Sequence, residues 1–209
     1  VSDDKAPRRY AKGEAKRREI LNTALDLIGQ RGYGASTLQE IADAVGLTKA
    51  GVLHYFESRE ELIASILRER DEVTSAASVA SLEGEPAGML EMLLQASVLN
   101  TTTPGLVELY SRLVVDAAGP DHPAHAYIDD RYDQVVSAVA EEAATKSLVD
   151  ASTGQLDPET FARVVVAISD GLQLQWSYRR DFDMHRALGA AISALTHGAV
   201  AADVPNDGE

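Results

Sequence analysis

The chain has 209 residues, 45% apolar and 25% charged, with 5% aromatic. That composition is too apolar for wholesale disorder, and its length suffices for one ordinary core or a small one beside a medium one. Cysteine is absent, which excludes disulfide staples, cysteine-based zinc sites and a cysteine nucleophile and suits a reducing compartment. The net charge of −14 is uneven: residues 1–70 carry 12 Lys and Arg against 11 Asp and Glu, and residues 71–209 carry 7 against 22. Seven basic groups between Lys5 and Arg18 face one acid, Glu14. A polyanion is repelled by most of this chain and attracted to that stretch. Charge alone leaves a solvated basic tail and nucleic-acid contact equally open. The polar start, Val1 to Arg18, predicts no secretory leader. The most apolar window, Ala187 to Ala202, has 16 residues, short of the ~20 a bilayer span needs. A cytoplasmic protein without a membrane partner is the expectation.

Nearly every segment reads as helix. Ile20, Ala24, Leu27 and Ile28 have helical spacing, broken by Gly32 and Gly34. Ser36 or Thr37 can cap a short second helix carrying Leu38, Ile41, Ala42 and Val45, with Glu40 placed for a capping box and Gly46 for the stop. Thr48 predicts a third helix through Phe56. Ser58 and Glu61 predict a second capping box and a fourth helix over 58–80, with Leu62, Ile63, Ile66 and Leu67 buried. Further helices are predicted from Met89 to Asn100, from Leu106 to Ala118 after a Pro104-Gly105 breaker, and from Pro123 to about Lys146. The last two span 158–180, with Pro158 in the first turn, and 184–200. No segment sustains period-2 alternation, so the expected class is all-α, with about nine helices. The chain divides into a small N-terminal unit over 1–60 with a basic N-terminal arm, a larger helical bundle over 61–202, and a frayed tail over 203–209.

The informative stretch is Thr37 to Phe56, TLQEIADAVGLTKAGVLHYF. Two short helices joined by a tight glycine turn make a helix-turn-helix. Leu38, Ile41, Ala42 and Val45 pack the first helix, Leu47 plugs the turn, and Val52 and Phe56 fix the second from beneath. Thr48, Lys49, Ala50, Gly51, Leu53, His54 and Tyr55 are left at the start or on the outer face, where they can meet a major groove. Here the sequence resembles the TetR family of bacterial transcriptional regulators. Thr37, Ile41-Ala42, Val45-Gly46-Leu47, Thr48, His54-Tyr55-Phe56, Ser58-Arg59-Glu60 and Leu62 follow its signature, and Gly32-Tyr33 with Ser36-Thr37 follows the turn before it. Leu53 stands where many members have a Tyr that touches phosphate, and Gly51 where Ser or Thr is common. The reading load then falls on Lys49 and His54 for base edges and on Thr37, Thr48, Tyr55 and Arg59 for phosphates, with Ala50 and Gly51 beside them. Lys16, Arg17 and Arg18 add salt-sensitive attraction.

The resemblance implies a repressor that binds a palindromic operator as a homodimer and is released by a small lipophilic ligand. For the dimer, 158–180 offers Phe161, Val165, Ile168 and Leu172 and 184–200 offers Met184, Leu188, Ala191 and Leu195, with Gly189, Ala190, Ala194 and Gly198 as small neighbours, to pair with the same two helices of a second subunit. For the pocket, Met89, Met92, Leu93, Leu113 and Trp176 are candidate walls and Asn100, Tyr110, Tyr127 and Gln173 polar handles. Asp170-Gly171 interrupts an apolar helix. Asp170 either faces a ligand or a partner or is simply an exposed or paired carboxylate, and Gly171 suggests close approach of another helix or a ligand. His122 and His125 sit among aspartates, but a helix start explains them better than a metal does. No cofactor or metal is expected. Neither a phosphate loop nor a recognisable nucleophile arrangement is present, so no enzyme is expected. The alternatives are a dimeric regulator without a ligand, or an all-helical enzyme.

Overall fold

The computed structural model describes residues 5–31, 37–80, 88–153 and 156–196. Gly32, Tyr33, Gly34, Ser36, Gly198 and the tail over 203–209 lie outside them. Among the described residues the chain is helical throughout: α1 Lys5–Arg31, α2 Leu38–Ala44, α3 Lys49–Val52, α4 Arg59–Ala80, α5 Met89–Thr102, α6 Pro104–Asp116, α7 His125–Thr145, α8 Pro158–Tyr178 and α9 Met184–Leu195, with a 3-10 turn at Ala151–Thr153. No helix among the described residues is long and apolar enough to cross a membrane. The chain divides into two compact units, Val1–Val73 with Thr103–His125 and Thr74–Thr102 with Ala126–Glu209. The sequence division at 60/61 follows the motif. The structural division falls inside α4 instead and brings residues 103–125 to the N-terminal helices, because α6 packs along α1.

In the first unit Ile20, Ala24 and Ile28 of α1 are buried, as are Ile41 and Ala42 of α2 and six consecutive residues of α4, Leu62 to Leu67. The basic stretch is not a separate arm: from Lys5 it is the first part of α1. The break predicted at Pro104-Gly105 falls at Thr103, between α5 and α6. Pro104 opens α6 at a position whose N–H has no helical partner to lose.

The second unit is built from α5, α7, α8 and α9, with α9 against both α5 and α8. Phe161, Val165, Leu188, Ile192, Val139 and Ala143 belong to one apolar core. The stripe assigned to a partner subunit is therefore largely used inside the protomer: Phe161, Val165, Met184 and Leu188 are all fully buried. Helical spacing says that such residues are covered; it does not say by what. α8 starts as predicted. Asp157 accepts hydrogen bonds from the backbone N–H of Glu159 and Thr160 and from the Thr160 hydroxyl, with Pro158 next. The Thr160 hydroxyl, followed by the Thr160 N–H, holds the Asp157 carboxyl below the usual carboxylate range. α9 is described as far as Leu195, and the predicted end at 200 lies outside the described residues. Thr196 is its C-cap residue and turns its hydroxyl back to the Ile192 carbonyl.

Candidate nucleic-acid interface

α2 is capped at both ends by its own sequence. The Thr37 hydroxyl accepts from the Glu40 N–H at 3.3 Å, and the Glu40 carboxylate accepts from the Thr37 N–H at 2.7 Å. At the other end Gly46 has φ +67. Its N–H donates to the Asp43 carbonyl at 3.2 Å while the Leu47 N–H donates to that of Ala42 at 2.8 Å. This pair of bonds is a Schellman turn, and an L side chain at Gly46 would be strained in it. The chain is thus reversed sharply into α3, whose N-cap Thr48 accepts from the Gly51 N–H at 3.0 Å.

α3 has four residues, not the eight predicted from Lys49 to Phe56. Leu53 caps it, and the Tyr55 N–H donates to Val52 in a tighter turn. Gly51, which stabilises helix poorly, and the anchoring of Phe56 both oppose continuation. Beneath the segment Val52 and Phe56 are buried. Outward, Thr48, Lys49, Ala50 and His54 are exposed and Gly51 and Tyr55 half-buried. His54 meets Tyr55 edge-on at 5.7 Å between ring centres. Leu53 is 40% exposed beside them, an apolar surface with no group to offer a phosphate. Thr37 is exposed at the start of α2, its hydroxyl committed to the cap.

α4 begins with a displaced version of the predicted box. The Ser58 hydroxyl accepts from the Glu61 N–H, but the Glu61 carboxylate takes the N–H of Glu57 rather than that of Ser58. Arg59 is exposed at this start. With Ile63, Leu113, Asp116 and His122 it edges a cavity of about 80 Å³, well below the several hundred Å³ of a small-molecule site. The three basic candidates of α1 separate. Arg18 is exposed. Lys16 donates to the Val45 carbonyl at 2.7 Å and to Glu19 at 2.8 Å. Arg17 lies over the Phe56 ring at 4.7 Å and donates to Ser65 at 3.0 Å and Glu61 at 3.3 Å. No sequence pattern signals either of these longer-range ties.

The candidate pocket residues fall in both units. Tyr110 and Leu113 are buried in the first. In the second, Met89 and Leu93 pack on the apolar core, and Met92 and Tyr127 are half-buried. Asn100 donates to Gln173 at 3.2 Å, both buried. Trp176 is buried with the Arg180 guanidinium 5.1 Å from its ring centre. Asp170 is a paired carboxylate, accepting from the Tyr132 hydroxyl at 2.5 Å. The two histidines serve their own turn. His122 Nδ1 accepts from the Ala124 N–H, and His125 Nδ1 donates to the Ala117 carbonyl.

Residues 20–66 match the family described as bacterial regulatory proteins, tetR family. The chain is 40% identical over 55 residues to the HTH-type transcriptional regulator RutR of Escherichia coli K12, covering 26% of each chain. It is 40% identical over 53 residues to the HTH-type transcriptional repressor KstR2 of Rhodococcus jostii, covering 25% of this chain and 26% of that one. These matches span about a quarter of the curated relatives' length. Solved structures share the fold much more widely. The transcriptional regulator FadR of Bacillus subtilis, in complex with stearoyl-CoA, aligns with a TM-score of 0.63 at 15% identity over 87% of this chain and 98% of that one. FadR of Thermus thermophilus, a TetR-family repressor in complex with lauroyl-CoA, aligns with a TM-score of 0.58 at 20% identity over 92% and 100%.

Proposed function

We propose that this chain, whose residues 20–66 are of the TetR family of bacterial regulatory proteins, is a cytoplasmic DNA-binding transcriptional repressor and not an enzyme. The observation that carries the reading is the segment from Thr37 to Phe56. A doubly capped helix, a left-handed glycine and one helical turn present Lys49, Ala50 and His54 outward over buried Val52 and Phe56. An element of this shape fits a major groove. Lys49 and His54 take base edges. Thr48, Tyr55 and Arg59 take phosphates, while Thr37, whose N–H and hydroxyl both donate to the Glu40 carboxylate, serves the cap of α2. Arg18 adds attraction along α1, and the Ala50–Gly51 surface lets backbone approach. Incubation with a random duplex pool tests this. A recovered two-fold-symmetric site bound with steep salt dependence is the expected result.

A homodimer follows from two-fold operator reading. With the buried stripe spent inside the protomer, its interface uses the remaining faces. α8 exposes Ala167, Leu174 and Tyr178 in line with half-buried Gly171, and α9 exposes Ala190 and Ala194. A Cβ at Gly171 would meet nothing within 4 Å, so the glycine leaves room for a partner helix. The residues up to 60 are the DNA-binding part and those from 61 to 202 the dimerising, ligand-responsive part. Acyl-CoA complexes of two proteins of this fold support a lipophilic effector, and buried Asn100, Gln173 and Trp176 are the candidate lining for it within the second unit.

A further inference from the structure

The recognition helix α3 is one turn long. A helix of that length has no stability of its own, so its orientation has to be imposed from its flanks. On the upstream flank, the carbonyls of Ile41, Ala42 and Asp43 take the N–H groups of Val45, Leu47 and Gly46. The Val45 carbonyl takes Lys16 Nζ at 2.7 Å, and Glu19 draws the same ammonium from the other side at 2.8 Å. A cation at this place also faces the negative end of α2. On the downstream flank, buried Phe56 lies under the Arg17 guanidinium. One nitrogen of that guanidinium reaches Ser65 and Glu61 of α4, and the second oxygen of Glu61 accepts from the Glu57 N–H. Successive residues on a helix point about 100° apart, which lets neighbouring side chains on α1 reach the two flanks at once.

We infer that Lys16 and Arg17 are positioning residues that clamp the recognition segment 46–56 at both ends, and that neither is a DNA contact. The inference rests on the DNA-binding reading above. Of the three basic candidates it leaves Arg18 turned to solvent. A phosphate contact needs only a positive charge nearby, whereas the clamp needs a donor in place at Val45 and a flat cation on Phe56.

The test uses the full chain, the duplex recovered from the random pool and hydrogen exchange of the free protein. Lys16→Met is expected to speed exchange of the Gly46 and Leu47 amides by about tenfold, as loss of a charged hydrogen bond requires, with Ile66 in α4 unchanged. Its affinity falls at every salt concentration, while the slope of log affinity against log salt stays that of the wild type. Arg17→Lys, which keeps the charge, also loses affinity, and Lys16→Arg, which keeps a donor, restores it. Arg18→Gln lowers the slope by about 0.9 for each phosphate it no longer neutralises and leaves exchange unchanged. A slope lowered by that amount in Lys16→Met with unaltered exchange overturns the inference, as does wild-type affinity in Arg17→Lys. If the wild type recovers no duplex, the DNA reading fails, and the Gly46 and Leu47 exchange rates alone decide the clamp.

Discussion

In the unit that holds α1 to α3, the outward-facing elements are short, and their placement depends on polar groups. A threonine caps each of α2 and α3, a left-handed glycine turns between them, and charged side chains of α1 hold the ends. In the unit that holds α7 to α9, the helices are longer, and twelve buried apolar residues form one continuous core. A recognition surface has to leave its side chains outside, so it has little apolar area with which to fix itself. Local hydrogen bonds substitute for packing there, at energies of about 1 kcal/mol each rather than the several of a buried aromatic.

The contrast predicts where substitutions hurt most. Phe161→Ala empties a fully buried site of the second unit and is expected to cost about 3–5 kcal/mol in urea unfolding. A cost under about 1 kcal/mol would mean that this core is not tightly packed. Gly46→Val puts a branched side chain at φ +67. A loss of about 1–2 kcal/mol or more is expected, with a fall in affinity for the selected duplex larger than that loss explains, because the turn sets the aim of α3. Thr37→Ala removes half of the capping box and is expected to cost about 1 kcal/mol. Ser147 ends α7 at φ 50, with the Leu148 N–H donating to Ala143 and the Ser147 N–H to Ala144. It is a second Schellman turn, made without glycine, so Ser147→Gly should raise stability by roughly 0.5–1 kcal/mol.

The smallest effect is one of pH. Asp157 has its carboxyl lowered from the ordinary value by the Thr160 bonds at the start of α8. Its contribution is complete above the ordinary carboxylate pKa and is lost as pH falls from there through the lower folded value. Asp157→Asn should flatten that part of the melting-temperature profile. A profile unchanged by the substitution would show that the cap is not felt globally.

Some features encoded within a few residues of one another were readable in the sequence. The α2 boundaries follow from Thr37, Glu40 and Gly46, and the start of α8 from Pro158. Features set by distant partners were not. Helical spacing marked Phe161 and Val165 as buried but could not say that the protomer itself buries them. Lys16 and Arg17 look like any basic cluster, because their partners lie 29 and 44 residues further on. The early end of α3 depends on the anchoring of Phe56 for the same reason. The outer face of the candidate site, Lys49 and His54, was legible because it follows from where the apolar residues are not.

The central claim, that the surface of α3 reads DNA, is tested most directly by titrating wild-type protein and a Lys49→Ala, His54→Ala double variant with the duplex selected by the wild type. The claim predicts saturable wild-type binding to a two-fold-symmetric site, its half-sites about one helical turn or a multiple apart. It also predicts that the double variant binds that site and scrambled DNA alike, because its base contacts are gone while its phosphate contacts remain. Undiminished preference for the selected site in the double variant would contradict it.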